Sequence, residues 1–287
     1  MRSLSRAIIS SFVANLLRRY LILAHQRTLN VYSTSDSLLA QSIKPKLPAK
    51  SHPSSRIVTY HLSPTNPNLV WVAFSNGYVF CIDWKTGAGA EDWWKTASTG
   101  CIHMTVASMV SAGRRRDVVF TTETKNDGFR ITAQELITGT KSPTRTIYTT
   151  PNRVQFMKTA HEGSVIAAAS GNKILLGRLR SNDYDTVENI KYEFKIFESI
   201  EPIKSLDIRV SERKEPASVK ERAKKLPVVD VVVGDIRGVI FVHNDLLGKL
   251  SSQSADGKLP SGISMVPRKL HWHRQVVHTV KWSKDGK

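Results

Sequence analysis

The side chains able to do chemistry are few, and they do not assemble into a familiar catalytic pattern. His271 and His273 flank Trp272 and offer two imidazoles close together. A zinc site needs three or four ligands, and no further ligand of the right kind lies near them in sequence. A hydrogen-bonded strand histidine is the simpler reading. Cys81 and Cys101 each sit among apolar residues with no C-x-x-C spacing, so neither a disulfide framework nor a metal site follows, and a reducing compartment fits. A Gly-rich phosphate loop, a nucleophile elbow, a paired-histidine metal helix and a deaminase-type Cys and His set are all missing. The expectation is no catalytic residue, no metal ligand and no cofactor. An enzymatic reading would need carboxylates or histidines clustered at the starts of the structural units, and none is visible.

The charge is more telling. With 42 Lys and Arg against 24 Asp and Glu the net charge is +18 and the pI about 10, the electrostatic footprint of a protein that works beside a polyanion, with nucleic acid the first candidate. Part of the excess is concentrated in the stretch 211–226, where Arg213, Lys214, Lys220, Arg222, Lys224 and Lys225 outnumber Glu212, Glu215 and Glu221. Such a segment meets RNA through phosphates without sequence preference, because it holds no aromatic residue on which a base could stack. A purely solvated loop fits the same composition.

The elements that must position these residues are strands. From Tyr20 onward, short β runs alternate with turn residues. The clearest unit runs from Ile57 to Gly87, with IVTYHL, LVWVAF and YVFCIDW separated by SPTNPN and by the tight turn Ser75-Asn76-Gly77. The same grammar recurs at about 40 residues. Tyr20–Thr34 supplies the end of a first unit, and Met104–Gly139, Arg153–Leu179 and Ile203–Asn244 supply later ones. Leu270 opens a last unit with LHWHRQVVHTVKWSKDGK, placing Val277, Val280 and Trp282 on a strand without its hairpin partner. Repeats of this period describe propeller blades, with a sandwich as the alternative. The apolar, small-residue middle runs VIAAAS and VVDVVVGD favour blades lying between neighbours. The expected fold is therefore all-β, a partial WD-repeat β-propeller over 20–287 of about five blades, the first and last incomplete, too few for a ring of the usual size.

Basic, proline-containing loops are expected at 42–56 and 211–226, and a Ser- and Gly-rich linker at 248–268. Residues 1–19 are Arg- and Ser-rich, lack acids and place apolar residues at helical spacing. They read as a short amphipathic helix, with a mitochondrial transit peptide as one interpretation. The apolar stretch there is too short to span a bilayer.

WD-repeat blades carry a Gly-His pair before the first strand and a Trp-Asp pair closing the third. Here Ile82-Asp83 takes the Trp-Asp place in the clearest unit, His273 takes the histidine place of the last, and Ser283-Lys284-Asp285-Gly286 matches the hairpin that follows, giving Asp83, His273 and Asp285 as structural positions. Two stretches, RYLILAHQRTLNVYSTSDSLL (Arg19 to Leu39) and KLHWHRQVVHTVKWSKDG (Lys269 to Gly286), resemble the first propeller of the WD repeat-containing protein 75 family, subunits of the UtpA subcomplex of the small-subunit processome. That resemblance implies a non-catalytic nucleolar scaffold. Its partners would be other processome WD-repeat subunits, pre-rRNA and U3 snoRNA, with no membrane and no small-molecule substrate. Its role would lie in transcription by RNA polymerase I and in 18S rRNA maturation. A generic WD-repeat adaptor unrelated to ribosomes is the competing reading of the same blades.

Overall fold

The computed structural model describes residues 13–14, 19–97, 100–125, 128–137, 143–180, 186–211, 227–254, 256–271 and 274–283. These residues form five antiparallel sheets, each a four-strand meander. The chain divides into two compact units, residues 1–153 with 183–191, and residues 154–182 with 192–287.

The first unit holds three sheets. Sheet one comprises β1 (Val13–Ala14), β2 (Tyr20–His25), β3 (Thr28–Ser33) and β4 (Leu39–Ile43). Sheet two comprises β5 (Ile57–Leu62), β6 (Leu69–Phe74), β7 (Tyr78–Asp83) and β8 (Trp93–Lys95). Sheet three comprises β9 (Cys101–Ser111), β10 (Arg114–Lys125), β11 (Gly128–Glu135) and β12 (Thr144–Thr150).

Alternation on sheet two explains how the three stack. Successive strand side chains point to opposite faces. On β6, Val70, Val72 and Phe74 pack with Phe80 and Ile82 of β7 against Ile22, Leu29 and Val31 of sheet one. Trp71 and Ala73 point the other way and pack with Val79 against Met104 and Val119 of sheet three. Both faces of β6 and β7 are thereby removed from water, so these strands read as nearly continuous apolar runs. Sheet three is more polar. Thr121 and Thr132 share a 2.8 Å hydroxyl contact across β10 and β11, Arg130 pairs with the buried Glu123, and the buried Glu135 is held by Arg116 at 2.7 Å and by the Ser111 hydroxyl at 2.8 Å. Buried charge is tolerated because each carboxylate has its partner.

The second unit holds two sheets. Sheet four comprises β13 (Phe156–Ala160), β14 (Val165–Ser170), β15 (Lys173–Leu179) and β16 (Tyr192–Glu198). Sheet five comprises β17 (Ile203–Ser211), β18 (Val228–Asp235), β19 (Val239–His243) and β20 (Arg268–His271), with the helix α1 (Leu246–Ser251) between its last two strands. Val165, Ala167 and Ala169 of β14 pack with Ile174 and Leu176 against Val229, Val231 and Val233 of β18 and against Leu246, Leu247 and Leu250 of α1. The small residues of β14 let the two sheets approach closely.

Several expectations are corrected. Sheet one is a full four-strand meander, and Val13–Ala14, expected in a helix, pairs with β2, whose backbone groups on that side need partners. The remaining positions of 1–12 and 15–18 lie outside the described residues. Leu270 does not open a new unit. It lies in β20 and completes sheet five by pairing with Ile240. Val277, Val280 and Trp282 form no strand. Val277 packs instead over Gly234 of β18, where a Cβ would collide with it, while its N–H donates to the Asp235 carbonyl at 3.1 Å and its own carbonyl accepts from the Ser205 hydroxyl at 2.8 Å. The far face of sheet five is thus covered here by the segment 274–283. Gly248, placed in a linker, lies in α1, its N–H capped by the Asp245 carboxylate at 3.3 Å. Ser42 and Ile43 belong to β4, so the loop begins at Lys44, and Ser211 belongs to β17.

Sheet stacking makes a direct prediction. Phe80→Ala, at a fully buried position between sheets one and two, is expected to cost about 3–5 kcal/mol in urea unfolding. Leu39→Ala, half exposed on β4, should change stability by no more than about 0.5 kcal/mol. Equal effects would contradict the packing described.

Candidate functional site

Of the positions singled out from sequence, Asp83 is the one WD-type position among the described residues. Its carboxylate accepts the N–H of Lys85 at 2.9 Å and of Thr86 at 3.1 Å, closing the turn that leaves β7. It is a turn cap. The next residue, Trp84, is buried with its indole N–H on the Pro67 carbonyl at 2.9 Å and its ring 5.3 Å from Tyr20. Arg213, Lys214, Lys220, Arg222, Lys224, Lys225, His273 and Asp285 lie outside the described residues. His271 is exposed at the end of β20, opposite Val239.

A polar joint that sequence reasoning missed ties sheet two to sheet three. Asp117 of β10 accepts the Trp71 indole N–H at 2.6 Å and, on its other oxygen, the Thr65 hydroxyl at 2.7 Å and backbone N–H at 3.3 Å. Nearby, the His61 imidazole contacts the Met104 carbonyl at 2.9 Å. Trp71 and Asp117 are 46 residues apart, so only the stacked sheets reveal the pair.

A basic recess of about 500 Å3 opens between sheet one and the loop that follows β7. Lys44, Lys46 and Lys50 are exposed beside Pro45 and Pro48. Lys46 meets Glu91 at 3.5 Å in an exposed pair that leaves the excess charge open to solvent. Arg27 builds the wall. Its guanidinium donates to the carbonyls of Ser55 at 2.8 Å, His52 at 3.0 Å and Pro53, so the loop after β4 is tied to the β2–β3 turn. The run K-P-K-L-P-A-K carried the signal for this surface.

In the second unit the segment 274–283 brings charged groups together on sheet five. Arg209 pairs with the buried Asp230 at 2.6 Å and lies 4.5 Å over the Trp282 ring, while the Trp282 backbone N–H donates to the Asp207 carboxylate at 2.8 Å. Burial lowers the Lys158 ammonium pKa, an effect Asp207 offsets and Lys281 reinforces. His243, edge-on to Phe197 at 4.7 Å, is pushed down to about 4 by burial and by the positive charge of Lys249. Burial raises both thiols, Cys81 and Cys101, to about 12. At neutral pH they are protonated and poor nucleophiles.

Among the described residues no three His, Cys, Asp or Glu side chains converge to hold a metal ion, and no helix is long and apolar enough to cross a membrane. What this arrangement offers, within each of the two units, is stacked sheets with basic and aromatic groups on loops and outer strands. No protein-family model matches the chain, and no curated protein matches it at a significant level.

Two outcomes are expected. Trp71→Phe, which leaves Asp117 one donor short, should cost about 1.5–3 kcal/mol, and the loss should shrink in an Asp117→Asn background. Additive losses would show that the two do not interact. Above pH 6.5 His243 is neutral in both the folded and unfolded states, whereas between 6.5 and about 4 only the unfolded chain takes up the proton, so stability falls as pH falls through that window. His243→Phe should flatten this part of the stability-versus-pH curve, and an unchanged slope would exclude the histidine as its source.

Proposed function

We propose that this chain is a non-catalytic scaffold, a WD-repeat-type propeller segment that works in a pre-ribosomal particle. In this reading it is a small-subunit processome subunit supporting RNA polymerase I transcription and 18S rRNA maturation in the nucleolus, with other WD-repeat subunits, pre-rRNA and U3 snoRNA as partners. The observation that carries it is the succession of four-strand meanders, each stacked on the next within its unit through two-sided apolar strands, under a net charge of +18. Stacked meanders of this kind are interaction platforms whose stability resides in nearest-neighbour contacts, and whose loops are free to vary.

The excess of positive charge supports a polyanionic neighbour. The stretches 19–39 and 269–286 support the processome assignment by their resemblance. A protein–protein adaptor outside the ribosome pathway would use the same sheets and has no need of the charge.

Affinity purification of the tagged protein from cells, with RNA and protein partners identified, tests the reading. Co-purification of U3 snoRNA, pre-rRNA and processome subunits is the expected result. Recovery of an unrelated protein complex without RNA would replace it with the adaptor reading. In vitro, changing Lys220, Arg222, Lys224 and Lys225 to Ala should weaken RNA binding and flatten its dependence on salt, each lost phosphate contact removing about 0.7 from the slope for a single strand. An unchanged slope would remove the 211–226 insertion from RNA contact.

A further inference from the structure

The outer strand of sheet two carries two consecutive tryptophans used in opposite ways. Trp94 turns inward, its ring 5.8 Å from Trp71 and its N–H on the Ile137 carbonyl at 3.3 Å. Trp93 turns outward and stays 44% exposed on a strand only three residues long. An indole left this open forgoes much of the stabilisation that burying it would bring. Its neighbours hold it in place without covering it. Tyr78 lies 5.0 Å away at 85°, and in a perpendicular pair at least one face of the indole is free of the tyrosine. The Lys95 ammonium sits 4.4 Å over the Tyr78 ring and donates to the Asn76 carbonyl, which places a fixed positive charge beside the aromatic pair.

The backbone beneath is hydrogen-bonded to the neighbouring strand β7. Tyr78 pairs with Lys95 and Phe80 with Trp93 across β7 and β8. Just beyond β8, the Thr96 N–H bonds the Gly77 carbonyl at 3.0 Å. Gly77 has φ +82° and lies so close to the Ala97 carbonyl that a side chain there would collide with it. The platform therefore pays little ordering entropy when it is used. On the N-terminal side of Trp93 the chain passes Asp92 and Glu91 into the wall of the basic recess, where Lys44 and Lys46 lie exposed.

We propose that Trp93, braced by Tyr78 and Lys95, is a stacking platform for an unpaired base of single-stranded RNA, with Lys95 and the lysines of the recess taking the flanking phosphates. The inference rests on the polyanion reading above and adds a strand preference to it. Base–aromatic stacking is tolerant of sequence and requires a base that is not already stacked in a duplex, whereas lysines alone accept either form.

The test is fluorescence anisotropy of the full chain with a labelled single-stranded RNA of about 12 nucleotides, within the usual footprint of such platforms, and with a blunt RNA duplex, at several salt concentrations. Trp93→Ala should weaken single-strand binding about 5- to 150-fold, the loss of one stacked base. Duplex binding and the salt slope should be left as they were, and Trp93→Phe should retain most of the affinity. Lys95→Gln should lower the single-strand salt slope by about 0.7. The platform is overturned if the intact chain binds RNA and both Trp93 variants bind the single strand as well as it does, or if they lose single strand and duplex alike. Failure of the intact chain to bind either RNA at low salt would overturn the RNA-contacting part of the proposed function as well, which separates the two failures.

Discussion

A β-strand with apolar side chains on both faces cannot be satisfied by one sheet. It must lie between two layers, and every other feature of this chain answers to that requirement. On β6 the alternation of Val70, Val72 and Phe74 with Trp71 and Ala73 commits sheet two to a neighbour on each side. On β14 the run Val165 to Ala169 is wholly buried, and its odd-numbered residues meet β18. A one-residue slip in register would exchange the two faces of such a strand and mismatch both neighbours, so register is strongly specified at the centre of each sheet.

The same constraint decides where polar groups can sit. Inside the sheets the charged groups are paired or hydrogen-bonded, as in Asp117 with Trp71 and Thr65, Glu135 with Arg116 and Ser111, and Asp230 with Arg209. Such joints contribute modestly to net stability, but losing one partner leaves a buried or half-buried group without its hydrogen bond, so they discriminate against misaligned sheets. The outer strands answer to no such demand. Their pattern is mixed, with Trp93 and Lys95 exposed on either side of Trp94, and Ile196 exposed on β16. The exposed Trp93 and the basic loop 44–50 therefore lie on an outer strand and a connection, where a partner can reach them.

This division also explains how much was legible in the sequence. The inner strands were readable because two-sided burial leaves unbroken apolar runs: LVWVAF, SVIAAAS and VVDVVVGD correspond closely to β6, β14 and β18. Fourth strands were not, since Thr144–Thr150 and Arg268–His271 are short or polar and half exposed, and they carry no period that a loop would lack. That is why Leu270 read as a beginning when it ends a sheet. Asp83 ends β7 and caps the turn that follows, a local feature of the kind a sequence carries. The Trp71–Asp117 joint and the Tyr78–Trp93–Lys95 cluster arise from contacts between segments distant in the chain, and no spacing rule encodes them.

The central claim is that doubly buried inner strands are the frame on which exposed outer strands and loops carry recognition. Native-state hydrogen exchange resolved by residue tests it most directly. Amides of β6, β7, β14 and β18 that bond to neighbouring strands should exchange only through global unfolding, with free energies equal to one another within each unit. Those of β8, β12 and β20 should open at lower cost and first. Inner strands that exchange as readily as outer ones would contradict the account.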